Sequence, residues 1–277
     1  MIVPTRDRPA ALEACLAALD AQTLGDLEIV VVDDGSQAAD AIAGVVAGHP
    51  KARLLRRSGA GPAAARNAGS RDARGETLCF TDDDCVPEAE WVEQLVLAIR
   101  EGADAVAGTT LNTGGALADA SELISLAPVA AGEPFAPSNN LACRRVIFEA
   151  VPFDESYPRA AAEDRDWCER LIAGGHTLRS QPSARVLHRP RLTLGTFLRR
   201  QVRYGEGAHR FRRNARRRLE PAGFYVALVR RGFERGFTVG VLLALAQLAT
   251  AFGWARAWLE LQATHGAGAS ERPGRGR

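Results

Sequence analysis

Lysine is nearly absent from this 277-residue chain: Lys51 is the only one among 35 basic residues, the rest being arginine. That bias reads as genome composition and excludes no mechanism. Cysteine is scarce as well. Cys15, Cys79, Cys85, Cys143 and Cys168 are odd in number and no two have CxxC spacing. This argues against a disulfide framework or structural zinc site and for a reducing compartment. No apolar stretch opens the sequence Met1-Ile2-Val3-Pro4-Thr5-Arg6, so no secretory signal is expected. Nor is the composition extreme: 46% hydrophobic and 25% charged residues exclude a disordered or fibrous chain. The length suits one large α/β domain with a C-terminal appendage.

The formal net charge of +2 is unevenly spread. Between Arg185 and Arg235 lie 15 arginines against Glu206, Glu220 and Glu234, a net +12, which leaves −10 for the remainder. An acidic body is joined to a basic C-terminal stretch.

The first hundred residues alternate helix and strand signals. Leu12, Cys15, Leu16 and Leu19 repeat at helical spacing after Pro9, a residue suited to a first helical turn. Leu27–Val32, apolar apart from Glu28, is a run of the kind buried on both faces of a sheet. A helix over Ala38–Ala47, a short strand at Arg53–Leu55, a Gly/Ala-rich loop and helix over Gly59–Ala73 and a buried strand at Thr77–Thr81 follow. Trp91, Leu95, Leu97 and Ile99 mark a further helix, and Asp104–Ala107 the next strand. The alternation predicts a parallel, doubly wound sheet, which binds ligands at the carboxyl ends of its strands.

Three of these strands run into polar clusters: Pro4-Thr5-Arg6-Asp7-Arg8, Asp33-Asp34-Gly35-Ser36 and Asp82-Asp83-Asp84. Acidic residues after one strand are commonly turn formers or helix caps. Three such clusters on one rim, one of them a triple aspartate, point to a site.

The motifs resemble those of the family 2 glycosyltransferases with the GT-A fold. The resemblance runs from about Ile2 to about Gly205. It rests on Val3–Pro9, Val31–Ser36, Ala65-Arg66-Asn67-Ala68-Gly69, Phe80–Asp84, Ser138-Asn139-Asn140, Phe153-Asp154-Glu155, Glu163-Asp164-Arg165-Asp166 and Val186-Leu187-His188. It implies an α/β, Rossmann-like fold with a mostly parallel central sheet and a helical C-terminal appendage. The expected divisions are 1–205 (catalytic domain), 206–262 (basic and apolar helical appendage) and 263–277 (disordered tail). The implied activity is inverting transfer of a sugar from a UDP-, GDP- or dTDP-linked donor to a hydroxyl on a glycan, lipid-linked or small-molecule acceptor.

That chemistry explains the residue types. A departing nucleotide diphosphate develops negative charge, which a divalent cation held by carboxylates can neutralise. Asp82 and Asp84 look like the family's DxD motif for Mn²⁺ or Mg²⁺, with His188 as a further ligand by resemblance; the third aspartate, Asp83, leaves the ligating pair open by one position. Pro4, Thr5, Arg8 and Asp34 would line the nucleotide pocket, Asp34 accepting a hydrogen bond from the base and Asp33 holding the loop. Arg66 would approach the base or the diphosphate, since a guanidinium matches phosphate oxygens bidentately. Asp164 matches the family's catalytic base, at the start of a helix whose apolar side is Trp167, Cys168, Leu171 and Ile172; acidic residues at a helix start also stabilise its dipole. The first strand, Met1-Ile2-Val3, is short for the family, and Ala162 stands where a glycine often precedes the Glu-Asp pair. Thr109–Pro137 matches nothing specific, as expected of a segment that reads the acceptor.

The appendage holds twenty uncharged residues, Gly236–Ala255, about the length that crosses a bilayer. Leu243, Gln247, Thr250 and Trp254 share one side, so a packed or interfacial helix is favoured over a span. The arginines from Arg210 to Arg218 suit anionic head groups or a lipid-phosphate acceptor. A cytoplasmic protein, or one on the cytoplasmic face of a membrane, is expected. Two other classes are weaker. A phosphotransferase or phosphatase using Asp82-x-Asp84 needs the motif after its first strand and a later lysine, and Lys51 lies upstream. An anionic-polymer or nucleic-acid binder would rest on the arginine run alone, and no nucleic acid partner is expected.

Overall fold

The computed structural model describes residues 1–157, 161–190, 192–215 and 219–269. An eight-stranded sheet has the order β3-β2-β1-β4-β7-β6-β8-β5. Its strands are β1 (Ile2–Thr5), β2 (Ile29–Asp34), β3 (Ala52–Arg57), β4 (Thr77–Thr81), β5 (Cys85–Pro87), β6 (Ala105–Asn112), β7 (Asn140–Arg144) and β8 (Leu178–His188). The first four are mutually parallel; β7 runs against β4 and β6, β8 is parallel to β6, and β5 is antiparallel to β8. The mostly parallel α/β sheet is the one expected.

Strict alternation of apolar residues on the inner strands fills both faces. Val3, Ile29 and Val31 join helices α1 (Pro9–Asp20), α2 (Ala39–Ala47) and α4 (Trp91–Arg100) in one core through Leu12, Ile42 and Trp91. Ile2, Val30, Val32 and Phe80 join α3 (Pro62–Asp72), α6 (Arg145–Ala150) and α7 (Glu163–Ala173) in the other, through Ala65, Phe148 and Trp167. Leu97 and Ile172, expected on apolar faces, are instead exposed; each sits one position off the stripe that faces the sheet. The Leu27–Val32 strand is displaced toward its carboxyl end, so Asp33 and Asp34 are its last residues.

Helix α5 (Ala116–Ala130) crosses to the C-terminal helices α8 (Leu194–Asn214), α9 (Ala222–Arg235) and α10 (Phe237–Ala269). These share a third core of Ala120, Ala127, Phe197, Leu228, Val239, Leu242, Leu243 and Ala246. The side of α10 carrying Leu243 is thus a packed side, with Trp254 edge-on to His209. The boundary read at 205 falls within α8, and α10 remains helical past 262 to Ala269. Residues 270–277 of the expected tail, and Arg216, Arg217 and Arg218 of the arginine run, lie outside the described residues.

Candidate active site

Because β1, β2 and β4 are parallel, their polar carboxyl ends share one rim, as the sequence implied. A cleft of about 1310 Å³ opens there. Arg8, Arg66, Asp82, Asp84, Glu163, Asp164 and His188 line it, together with residues of α5, α8, α9 and α10. Thr5, Asp34 and Asp83 are buried and are not part of that lining.

The loop after β4 sorts its three aspartates by alternation. Asp82 and Asp84 face the cleft, whereas Asp83 is 0% exposed. The Thr5 hydroxyl donates to Asp83 Oδ2 at 2.7 Å and the Arg8 guanidinium lies 2.6 Å from Oδ1. Burial still dominates and pushes the Asp83 carboxyl up to about 7. Asp83 is therefore a loop anchor. Arg8 also donates to Asp84 Oδ2 at 2.7 Å. Burial works against charge on Asp84, but His188 and Arg8 outweigh it and hold the carboxyl at about 2.

His188 arrives through a strand the sequence reading did not include. The short β5 pairs with β8, placing Cys85 opposite His188, and the Arg189 amide donates to the Asp84 carbonyl at 2.9 Å. His188 Nδ1 is 2.7 Å from Asn112 Oδ1, which leaves Nε2 turned toward Asp84 Oδ1 at 3.5 Å. Among the described residues, Asp84, Cys85 and His188 bring their donor atoms within 4.8 Å of one another. Cys85 is buried and its thiol is pushed well above its ordinary range, so it stays neutral. A carboxylate and an imidazole remain, a donor set that fits Mn²⁺ or Mg²⁺. Asp82 is not brought into this group: Arg66 donates to its Oδ1 at 2.6 Å.

Arg66 is 2% exposed and links two sides of the cleft. It bonds Asp82 and, at 3.3 Å, Glu163 Oε1, with its guanidinium 5.8 Å from the Phe153 ring centroid. It gets there because α3 lies tight on the sheet: a methyl on Gly69 would come 2.7 Å from Ile2 Cγ2. Next to it Asn67, buried, donates to the Phe153 carbonyl and accepts from the Phe153 amide. Asn67 stands inside the Ala-Arg-Asn motif, but nothing in the sequence pairs it with Phe153, 86 residues away. On the nucleotide side, Pro4 lies buried in β1 beside Val32. The Asp33 carboxylate accepts from the Ser36 amide within its own turn, while both oxygens of Asp34 accept from the Ala60 and Gly61 amides. Asp34 thus ties two loops together.

Asp164 and Glu163 begin α7, and their roles separate by contact. Glu163 is 3% exposed and held by Arg66 and by the Ala161 amide at 2.7 Å. Asp164 is partly open to the cleft and accepts from the Arg165 amide at 2.8 Å. Its deep setting and the adjacent Glu163 charge push the carboxyl up to about 7, against the Arg165 and Ser138 amides and Arg66. Asp166 turns away and accepts from Arg170 at 2.8 Å. Asp154 and Glu155 are outside the cleft lining, bonded to the Ser156 amide and to Asn67. Ala162, before the pair, is in the left-handed region at φ +67°, the conformation that glycine serves best.

Residues 1–154 match the family model described as glycosyl transferase family 2. A pre-mycofactocin glycosyltransferase of Mycobacterium tuberculosis is 29% identical over 228 residues, covering 75% of this chain and 46% of that protein. Glycosyltransferase AglE of Haloferax volcanii is 29% identical over 222 residues, covering 75% of this chain and 71% of its own. The chain thus spans about half the length of the mycobacterial relative. Among solved structures, mannosyltransferase PcManGT from Pyrobaculum calidifontis in complex with GDP-Man and Mn²⁺ superposes with a TM-score of 0.61 at 20% identity, covering 96% of this chain and 74% of that one. S. aureus TarS 1–349 in complex with UDP gives 0.53 at 18% identity, covering 83% and 69%. The two superpositions carry the GT-A fold, and the family match, which takes in the rim motifs of β1, β2 and β4, carries the conclusion that the chain belongs to glycosyl transferase family 2.

Proposed function

We propose that the chain is an inverting glycosyltransferase that moves a sugar from a nucleotide-diphosphate donor to an acceptor hydroxyl. The observation that carries this is a single cleft lined both by Asp84 and His188 and by Asp164, whose carboxyl is raised to about 7. Asp164 takes the proton of the acceptor hydroxyl as its oxygen attacks the anomeric carbon. A base whose pKa lies near neutrality suits that task. Attack from the face opposite the leaving group inverts the configuration.

The donor, UDP-, GDP- or dTDP-linked, lies along the rim of β1, β2 and β4. Solved neighbours in complex with GDP-Man and with UDP support that class. Asp84 and His188 would hold Mn²⁺ or Mg²⁺; Asp82 lines the same cleft, and Arg66 would reach the diphosphate by leaving Asp82. The cation would supply Lewis-acid neutralisation of the leaving group. The catalytic part ends within α8, and the helices after it wall the acceptor end. The exposed apolar side of α10 supports peripheral contact with the cytoplasmic face of a membrane, and five unpaired buried thiols suit that compartment.

The test is titration of UDP, GDP and dTDP with and without Mn²⁺, followed by thermal shift. Binding of one nucleotide should need the cation, and Asp84→Ala should remove the cation-dependent part. A ligand at a hundredfold excess over its dissociation constant stabilises by about 2.7 kcal/mol. Equal binding in a chelator would overturn the metal-bridged reading.

A further inference from the structure

We propose that Arg200 is the acceptor-side anion site: it receives a phosphate or carboxylate carried by the molecule that is glycosylated. This rests on the glycosyltransferase reading above and adds a substrate class to it.

The cleft contains several arginines, and most are already neutralised. Arg8 lies against Asp83 and Asp84, Arg66 against Asp82 and Glu163, Arg165 against Glu133 and Glu220, and Arg212 3.9 Å from Glu220. Arg200 is different. Among the described residues no carboxylate lies within 4.0 Å of it, yet it is half-buried in the cleft wall, whereas Arg179, Arg189 and Arg203 stand exposed to water. A charge withdrawn from water without a counter-ion is costly; an arriving anion recovers that cost, and a guanidinium fork suits phosphate or carboxylate.

The group is held in place for such a partner. Ser121 on α5 donates to the Leu117 carbonyl at 2.7 Å and so presents its lone pair to Arg200, which donates to it at 2.6 Å. The rings of Phe197 and Tyr204 stand 6.0 and 5.8 Å from the guanidinium carbon. Arg200 Nε is buried and bonded to nothing among the described residues. On the adjacent residue, Gln201 is 1% exposed, lines the same cleft, and its Nε2 also lacks an acceptor. Two neighbouring residues of the cleft lining thus each keep a buried donor without an acceptor among the described residues. Tyr204, one turn along α8 from Arg200, lines the same cleft as Asp164 and Glu163. Arg200 and Asp164 thus line one cleft, into which an acceptor must reach to meet the base.

The experiment uses the full chain loaded with Mn²⁺ and the nucleotide diphosphate that binds best, with calorimetric titration of glucose 1-phosphate, glucuronate, dodecyl phosphate and methyl glucoside. The anionic probes should bind more tightly than methyl glucoside. Arg200→Gln should weaken the anionic probes by roughly ten- to a hundredfold, as expected for hydrogen bonds to a charged group, and Arg200→Lys by less. Nucleotide affinity should be unchanged in both variants, which also shows that they fold. Preference for dodecyl phosphate would assign the anion to a lipid; equal binding of glucose 1-phosphate would assign it to a soluble ester. No preference for anionic probes, or no effect of either variant on them, overturns the site. Loss of nucleotide affinity in Arg200→Gln with Arg200→Lys unaffected would move Arg200 to the donor side and equally overturns it. Failure of any nucleotide to bind the parent protein would instead sink the donor reading on which the proposal rests.

Discussion

Gly205 on α8 and Gly253 on α10 are reciprocal contact points: a methyl on Gly205 would come 2.0 Å from the Thr250 carbonyl oxygen, and one on Gly253 1.9 Å from the Val202 carbonyl oxygen. Two helix backbones approach where neither residue has a side chain, so α10 is seated on the helix that bears Arg200 and Tyr204. Gly253→Leu is expected to destabilise the protein by about 1–3 kcal/mol or more through overpacking. Gly223→Ala, in α9 with nothing within 4 Å, should gain up to about 1 kcal/mol of helix propensity. Urea denaturation of both variants checks the signs. A neutral Gly253→Leu would mean that α10 is not docked in solution.

The catalytic half was legible because its signals are local. A β-branched run buried on both faces, a polar cluster at each strand end and an aspartate pair at i, i+2 are all visible in one dimension. The rest depends on pairing across long separations. Strand β8 carries Gln181, Pro182 and Ser183 and has a register shift against β6, so no periodicity marks it, and β5 is only 3 residues long. Without that pair His188 is a histidine at a strand end and Asn112 has no role. Asp33 and Asp34 are adjacent acidic residues whose different partners, Ser36 within the turn and the Ala60–Gly61 amides across it, cannot be told apart from order alone. Arg200 was hidden in an arginine-rich helix, where only the absence of a carboxylate neighbour distinguishes it.

Ala162 offers a test of local strain. Its left-handed backbone costs a residue with a Cβ roughly 1–2 kcal/mol, while glycine loses about 0.4–1 kcal/mol more entropy on folding. Ala162→Gly should therefore stabilise the protein by about 0.5–1 kcal/mol, read as a higher urea midpoint with unchanged slope. A loss of stability would show that the methyl packs usefully against the cleft.

The outer side of α10 carries Phe237, Leu248 and Phe252, exposed at 77%, 69% and 62%, along a helix from Phe237 to Gln262 that is apolar and long enough to cross a membrane by length and composition. Val239, Leu242, Leu243 and Ala246 occupy the opposite, packed side. A helix apolar on both sides suits one side against protein and the other in a lipid interface. Leu248→Gln with Phe252→Gln should reduce co-sedimentation with vesicles rich in phosphatidylglycerol and leave nucleotide binding intact. Equal sedimentation of parent and variant would remove the membrane contact.

Asp164 and Asp166 are two residues apart on α7 and differ in what they face. Asp164 must be ionised to accept a proton, so kcat/KM should climb as pH rises through about 7, the value to which its setting raises it, and level off above. Asp164→Asn keeps the size of the side chain, removes that limb of the profile and should cost about 10²–10⁴-fold in rate. Donor and cation affinity should hold, since Asp84 and His188 are untouched. Asp166→Asn weakens only the bond to Arg170 and should retain the parent's pH profile. A transfer rate near that of the parent in Asp164→Asn would leave it a helix-start residue. Glu163 would then be the remaining carboxylate of α7 in the cleft lining, and it would have to give up Arg66 to act.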